Sequence, residues 1–242
     1  ESDHAQICIC SAKNFNEKTG EYTWPAHYLN TDFLPAETPF SAAEISRRIF
    51  NAVSPAPWTK LFRKDYIVDN GFQFQPLKKT NDLFFVYTAL ACAERITYIN
   101  KPFVNYRIEN SSSLQGTTAE LSTDFYKALF ALKEELQKKK IFTAFEQSFV
   151  NRSLSTCLYA LNKITNKENY LSVADFLRDS FFYHLDVLGH SRGYFYNKSD
   201  FEKLAEILES TSAALWDSRA VVPAEKPKVD ISKWECPVEI AN

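Results

Sequence analysis

Glycine is scarce in this sequence, and its scarcity excludes two common phosphate-binding loops. The chain has 5 Gly among 242 residues. They form neither a G-x-G-x-x-G pattern nor a G-x-x-x-x-G-K-[ST] pattern. Both loops depend on Gly because the backbone must approach the phosphate groups closely. The chain therefore contains no Gly-rich nucleotide-binding loop.

The sequence also lacks a strong net charge and a long apolar run. The formal net charge is −2, which provides no electrostatic basis for binding nucleic acid. The best apolar run, Leu83–Ala93, is shorter than the roughly 18 residues that a membrane span needs, and Glu94 and Arg95 follow it. The sequence thus predicts no nucleic-acid partner and no transmembrane segment. Peripheral association with a membrane stays open.

Cysteine and histidine show no pattern of a disulfide framework or a metal site. The Cys count is odd and no C-x-x-C pair occurs, which is typical of reduced thiols in the cytoplasm. No His has a partner at metal-ligand or triad spacing, so zinc is not expected. The residues concerned are Cys8, Cys10, Cys92, Cys157, Cys236, His4, His27, His184 and His190.

What the chain does contain indicates a mixed α/β fold. The alternating segment Gln6–Ser11 predicts a strand, Asn16–Gly20 predicts a turn, and Glu21–Trp24 is the expected hairpin partner. Two further strands are expected at Thr97–Ile99 and Pro102–Ile108. With 20 Phe and 12 Tyr, the chain has enough apolar side chains for a sizeable core.

Helices are predicted from capping residues and apolar periodicity. Ser41 and Glu44 have the spacing of a capping box and should open a helix, and Gly71 should end another in a left-handed conformation. Thr80 or Asn81 should cap a third helix. The expected helices are Ala42–Phe50, Leu61–Asn70, a helix after Asn81 with an apolar face, Thr123–Lys140, Ala144–Asn162, Val173–Ser180, and Ser199–Leu215 with Ser199 as its N-cap.

An ordered set of motifs lies between Trp58 and Ser113. A Trp-Thr-Lys-Leu element at 58–61 is followed by a turn at 69–71. A Thr-Asn-Asp triplet at 80–82 then opens an apolar helix, and a strand ends in Tyr106-Arg107 before the polar stretch Asn110–Ser113. This order and spacing resembles the acceptor-side half of the family 2 nucleotide-sugar glycosyltransferases, which have the GT-A fold. The resemblance covers about 55 residues.

The other half of that family's pattern is missing here. Family members begin with a Pro-Val-Tyr-Asn-like turn, and an Asp-x-Asp motif that holds a divalent metal closes their nucleotide-binding half. Before Asp65 the only Asp residues are Asp3 and Asp32, and neither lies in such a motif. We therefore expect a C-terminal part of a longer enzyme, with Mn²⁺ or Mg²⁺ bound by the full-length protein and none by this chain.

Two regions are expected on this basis. Residues 1–116 would form the C-terminal half of a GT-A-like domain, with a partial sheet and helices. Residues 117–242 would form a mainly helical extension that ends in an irregular tail. The polar, Gly-containing stretch Ser111–Thr118 is the expected boundary between them.

Asp82 is the candidate catalytic residue. An acid in the first turn of a helix is common, because the positive end of the helix dipole stabilises it. The resemblance favours catalysis instead, since family members carry a Glu-Asp pair here and Asp82 occupies the Asp position. That carboxylate would deprotonate the acceptor hydroxyl. Asn81 replaces the usual Glu, which should leave Asp82 with a lower pKa than in a paired site.

Four other residues are candidate substrate-binding residues. Trp58 could stack on a sugar ring or anchor the following helix in the core. Lys60 could bind a phosphate or an anionic acceptor, although a solvated lysine is the simpler interpretation. Arg107 could bind the leaving diphosphate, hold the Asp82 carboxylate, or form a structural salt bridge. Asn81 lies next to the candidate base.

The resemblance implies an inverting glycosyltransferase. In the full-length enzyme, a sugar would pass from a nucleotide-diphosphate sugar to a hydroxyl of a glycan or lipid-linked acceptor, in the synthesis of bacterial surface polysaccharide or cell-envelope glycan. The enzyme would work in the cytoplasm or at the inner face of the membrane. The alternative is a noncatalytic interaction module whose helices after Thr123 bind a partner through their aromatic faces.

Overall fold

A mixed sheet is centred on the first strand of the protein, whose computed structural model describes residues 3–108 and 123–219. The strands are β1 (Ile7–Asn16), β2 (Tyr22–Thr23), β3 (Lys60–Phe62) and β4 (Ile96–Ile108). Strand β4 runs parallel to β1 along one edge. Strands β2 and β3 are antiparallel to β1 and share its other edge. The two predicted strands between residues 97 and 108 are therefore one strand, β4.

Strand β1 alternates between a buried face and a partly exposed face. Ile7 and Ile9 have no exposed surface, whereas Cys8 and Cys10 are partly exposed on the opposite face. The two cysteines therefore share one face of the strand. The four cysteines in the described residues are free thiols, and Cys236 lies outside those residues. The predicted turn after β1 and its hairpin partner β2 are also formed.

Helices pack on the buried side of this sheet and continue into the C-terminal part. In the described residues the α-helices are α1 (Ile49–Ala52), α2 (Lys64–Asp69), α3 (Asn81–Ala91), α4 (Asp124–Lys138), α5 (Phe142–Asn162), α6 (Lys167–Phe176), α7 (Phe182–His184), α8 (Lys198–Glu209) and α9 (Ser212–Asp217). Helix α4 packs against α3 and α5, and α5 also packs against α1. These contacts confirm a mixed α/β architecture.

Two helices near the sheet differ from their predicted forms. The capping box of Ser41 and Glu44 is present, but it opens a 3-10 turn, and the α-helix begins only at Ile49. The prediction of a helix over Leu61–Asn70 is wrong in its first part, because the backbone there pairs with β1 as strand β3. Gly71 follows α2 with a φ of +64°, which confirms the left-handed end.

The C-terminal helices also have different bounds. The predicted helix Val173–Ser180 begins earlier, as α6, and continues as a π-helical turn. The predicted helix Ser199–Leu215 is two helices, because the Thr211 side chain accepts from Ala214 N and starts α9. The N-cap of α8 is Asn197 rather than Ser199. The predicted tail beyond residue 219 and the stretch Asn110–Ser113 lie outside the described residues.

Side chains from both predicted regions belong to one hydrophobic core. Phe50 of α1 contacts Tyr87 of α3, with ring centroids 4.9 Å apart, and Phe145 of α5, with centroids 5.7 Å apart. None of the Phe50 surface is exposed. The predicted boundary falls within residues 109–122, outside the described part, so the division into two regions stays a prediction.

We expect Ser148→Ala to destabilise the protein by about 1–3 kcal/mol. Ser148 Oγ accepts from the backbone N–H of Phe50 at 2.9 Å, at the start of α1, and the substitution leaves this buried donor unpaired. Chemical denaturation measures the loss. The control is Ser153→Ala in the same helix, because the buried Ser153 Oγ has no hydrogen-bond partner in the described structure. Equal losses in the two variants would contradict the prediction.

Candidate active site

Asp82 lies in the first turn of helix α3, as the sequence predicts. Thr80 occupies the N-cap position in a left-handed conformation, with φ of 60°, and its side chain makes no capping hydrogen bond. Asn81 is the first helical residue and is partly buried. The rest of α3 is almost entirely buried, so the core holds the helix rigidly. The backbone of Asp82 therefore has a fixed position at a helix N-terminus.

The electrostatic environment of Asp82 combines burial with one nearby positive charge. Burial raises the pKa of the Asp82 carboxyl group, and the charge of Lys60 acts in the opposite direction. Within residues 3–108 and 123–219, no protein donor forms a hydrogen bond or ion pair with this carboxylate. Its oxygen atoms are thus available to accept a proton from a bound ligand.

Lys60 is buried, so the interpretation as a solvated lysine is wrong. It is the first residue of β3 and lies opposite Ile9 of β1, which directs its side chain to the buried side of the sheet. Its neighbour Leu61 is 76% exposed on the other side. The Lys60 ammonium group donates to protein acceptors at three distances between 2.8 and 3.0 Å. Burial lowers the pKa of Lys60 to about 7.

Trp58 lies at the surface within an aromatic cluster. Its ring is parallel to that of Tyr106, with centroids 5.2 Å apart and an interplanar angle of 3°. Tyr28 contacts it edge-on, with centroids 5.4 Å apart. With 37% of its surface exposed, Trp58 is neither a core anchor nor a freely solvated side chain. Tyr106 covers one face of the indole, and a ligand could stack on the other.

Arg107 is paired with Glu17 instead of with Asp82. The distance from Arg107 Nη1 to Glu17 Oε1 is 3.1 Å, and the Arg107 side chain is exposed. Glu17 belongs to the turn after β1, so this ion pair ties that turn to the end of β4. Arg107 therefore forms the structural salt bridge that was one of its three predicted roles, and its binding of a diphosphate stays a prediction.

Arg152 is a residue of this region that the sequence did not indicate. It lies on α5, in the helical part of the chain, and its Nε donates to Phe50 O at 2.7 Å. Its guanidinium lies 5.7 Å from the centre of the Tyr87 ring. The positive charge of Arg152 lowers the pKa of Lys60 and of His27, in both cases as a smaller cause than burial. No local motif marks Arg152, because α5 reaches this region only through tertiary packing.

The described residues offer no ligand set for the divalent metal that the resemblance implies. Among residues 3–108 and 123–219, no three His, Cys, Asp or Glu side chains lie together in a way that could hold a metal ion. In the same residues, no helix combines the length and the apolar character that crossing a bilayer requires.

The mixed α/β architecture is similar to that of a solved glycosyltransferase. The chain is similar to S. aureus TarS 1–349, a glycosyltransferase, with a TM-score of 0.51 and 16% identity over 90% of this chain and 60% of the solved chain. TarS 1–349 in complex with UDP gives a TM-score of 0.39 and 14% identity over 84% and 60%. The chain thus spans less than two thirds of that solved chain. No family model and no curated protein matches the sequence.

Proposed function

We propose that this chain is the acceptor-side half of an inverting family 2 glycosyltransferase of the GT-A fold, with Asp82 as the general base. The observation that carries the proposal is the half-buried Asp82 carboxylate in the first turn of α3, without a protein donor in the described residues. The similarity of the fold to that of TarS supports the class of protein. The resemblance around residues 58–113 supports the family.

In the proposed reaction, Asp82 takes the proton of an acceptor hydroxyl. The hydroxyl oxygen forms a bond to the anomeric carbon of the donor sugar while the bond from that carbon to the diphosphate breaks. Attack opposite the leaving group inverts the configuration. A raised pKa makes Asp82 a stronger base than an ordinary Asp, and the charge that Lys60 carries below its pKa of about 7 helps to keep Asp82 ionised. No described residues fit the expected metal, so the proposal assigns it no step here.

The exposed face of Trp58 is the proposed acceptor platform. Its partner Tyr106 holds the indole in one orientation, and C–H groups of a sugar ring stack well on such a fixed aromatic face. Asn81, directly before Asp82, is proposed to bind an acceptor hydroxyl through its amide. Arg107 at the end of β4 is proposed to approach the donor diphosphate.

The wider role belongs to the same proposal. The full-length enzyme would use a nucleotide-diphosphate sugar and a glycan or lipid-linked acceptor. It would act in cell-envelope glycan synthesis, in the cytoplasm or at the inner face of the membrane. The alternative of a noncatalytic module has less support, because four of the five aromatic residues that would bind its partner are at most 7% exposed and the fifth, Phe130, is partly buried against the core. The four are Phe125, Tyr126, Phe145 and Phe149.

Mass spectrometry on the full-length protein tests the proposal directly. The protein is incubated with a panel of nucleotide-diphosphate sugars, glycan and lipid-linked acceptors, and Mn²⁺ or Mg²⁺. We expect a product whose mass is that of the acceptor plus one sugar, with one donor strongly preferred. Inversion is read from the anomeric coupling constant of the product by NMR. Hydrolysis alone, or no turnover with any donor, would contradict the proposal.

We expect chain 1–242 alone to bind nucleotide diphosphates weakly or not at all, even with Mn²⁺ or Mg²⁺. The reason is that the sequence contains neither an Asp-x-Asp motif nor a Gly-rich phosphate loop. Calorimetric titration with UDP, GDP and dTDP measures the affinity, and the full-length protein is the control. A dissociation constant in the low micromolar range for the isolated chain would contradict the expectation.

A further inference from the structure

The buried ammonium group of Lys60 forms hydrogen bonds with three residues of the chain segment that directly precedes it, and these bonds keep the segment in a closed turn. Lys60 Nζ donates to Ser54 O at 2.8 Å, to Ala56 O at 3.0 Å and to Thr59 Oγ1 at 3.0 Å. Thr59 Oγ1 in turn donates to Ala56 O at 2.9 Å. Three acceptors match the three protons of an ammonium group. Lys60 therefore has no proton left for a phosphate or an anionic acceptor.

The closed segment, residues 54–59, carries Trp58 and is also held by two neighbouring elements. The Tyr87 hydroxyl of helix α3 donates to the backbone oxygen of Val53, the residue directly before the segment, at 3.2 Å. Near its end, the Trp58 ring lies on Tyr106 of β4. The segment is thus restrained by the hydrogen bonds of Lys60, by the hydrogen bond from α3 and by the ring contact with β4. Helix α3 is also the helix whose first turn contains Asp82.

We propose that Lys60 is a positioning residue of the candidate active site. By holding residues 54–59 closed, its ammonium group fixes the exposed face of Trp58 relative to the helix that carries Asp82. The inference rests on the proposed function and replaces direct substrate binding as the role of Lys60. Because Lys60 acts through Trp58, its loss should disorder the acceptor platform while leaving the reacting groups in place.

The charges around Lys60 give a second consequence that can be measured. Arg152 of α5 and Asp82 of α3 are the charged groups that act on Lys60. The Cys10 thiol of β1 would act on it only as a thiolate, and burial raises the pKa of Cys10. Lys60 in turn lowers the pKa of Asp82 against the effect of burial. Removing the Lys60 charge should therefore raise the Asp82 pKa. The acidic limb of the pH–rate profile should move to higher pH, because Asp82 must be ionised to act as a base.

The test compares Lys60→Met with the control Lys64→Met in the full-length protein labelled with 5-fluorotryptophan. Met keeps most of the side-chain volume but removes the charge and the three hydrogen bonds, and Lys64 is exposed. The ¹⁹F resonance of Trp58 is assigned with a Trp58→Phe variant. We expect Lys60→Met to shift or broaden this resonance and to leave that of Trp216, on α9, unchanged. Lys64→Met should affect neither.

Kinetics provide the second measurement. We expect Lys60→Met to raise the acceptor KM about two- to tenfold, because binding must then order the Trp58 side chain and its loop. The changes in kcat and in donor KM should be smaller. The acidic limb of kcat/KM should move to higher pH. If Lys60→Met does not fold, Thr59→Val removes two of the hydrogen bonds, retains the Lys60 charge, and should shift the same Trp58 resonance.

An unchanged Trp58 resonance in folded Lys60→Met would overturn the inference. The inference would also be overturned if Lys60→Met left the acceptor KM unchanged while Trp58→Ala raised it. Other results would contradict the proposed function. These are full activity of Asp82→Asn, or an unchanged acceptor KM in Trp58→Ala, and both are independent of the ¹⁹F spectra. The two failures can therefore be told apart.

Discussion

In the full-length protein, Asp82→Asn is expected to slow sugar transfer by about 10²–10⁴-fold, the usual contribution of a general base. Asn has nearly the same shape but does not take up a proton, so binding of the nucleotide sugar should be retained. The wild-type rate should fall as the pH falls through the Asp82 pKa, which burial raises above its ordinary value. Steady-state kinetics and calorimetry on the same preparations measure both effects.

Asp65→Asn is the matched control for this prediction. Asp65 is also an acid in the first turn of a helix, α2, but it is exposed and paired with Arg63 at 2.6 Å. Its replacement should leave turnover close to the wild-type value. If Asp82→Asn retained wild-type turnover, Asp82 would be only a helix-stabilising acid. If both variants lost activity equally, the loss would reflect helix starts in general rather than the chemistry of Asp82.

Phe50→Ala is expected to lower the free energy of unfolding by about 3–5 kcal/mol, as for other large-to-small substitutions in a core. Phe50 is fully buried and contacts rings of both α3 and α5. The cavity should therefore weaken the packing of the sheet region and the helical region together. Chemical denaturation of chain 1–242, followed by circular dichroism and by Trp fluorescence, should show a single transition displaced as a whole.

The control for Phe50→Ala is the same substitution at Phe103. This residue of β4 is 63% exposed, so its replacement should change stability by no more than about 0.5 kcal/mol. Two separate transitions, with only one displaced by Phe50→Ala, would show that residues 1–116 and 117–242 unfold independently. A single displaced transition would show that they are thermodynamically coupled.

Local signals predicted the elements that depend on adjacent residues. The polar triplet at 80–82 before a run of apolar residues correctly predicted the start of α3, because helix starts are determined by the few residues around the first turn. The capping box at Ser41 is present for the same reason. The α-helix expected after it formed only in part, because a cap satisfies the first N–H groups but does not determine how far the helix continues.

Pairing between distant segments was not predictable from local patterns. Residues 60–62 have a composition compatible with a helix, yet they form β3 because β1 presents an edge to which they can bond. That pairing turns the Lys60 side chain inward, which is why an expected surface lysine is buried. Arg152 shows the same limitation, since it comes to this region only through the packing of α5 against α1.

The sequence by itself determined the mixed α/β class, the alternation along β1, and the position of Asp82 in the first turn of a helix, because each depends on neighbouring residues. Only the tertiary structure decided the other features of the candidate site: the buried ammonium group of Lys60, whose charge acts on that carboxylate, the stacking of Trp58 on Tyr106, and the charge of Arg152, which acts on Lys60 from helix α5. Burial and electrostatic interaction depend on distance in space, and strand pairing and helix packing set those distances.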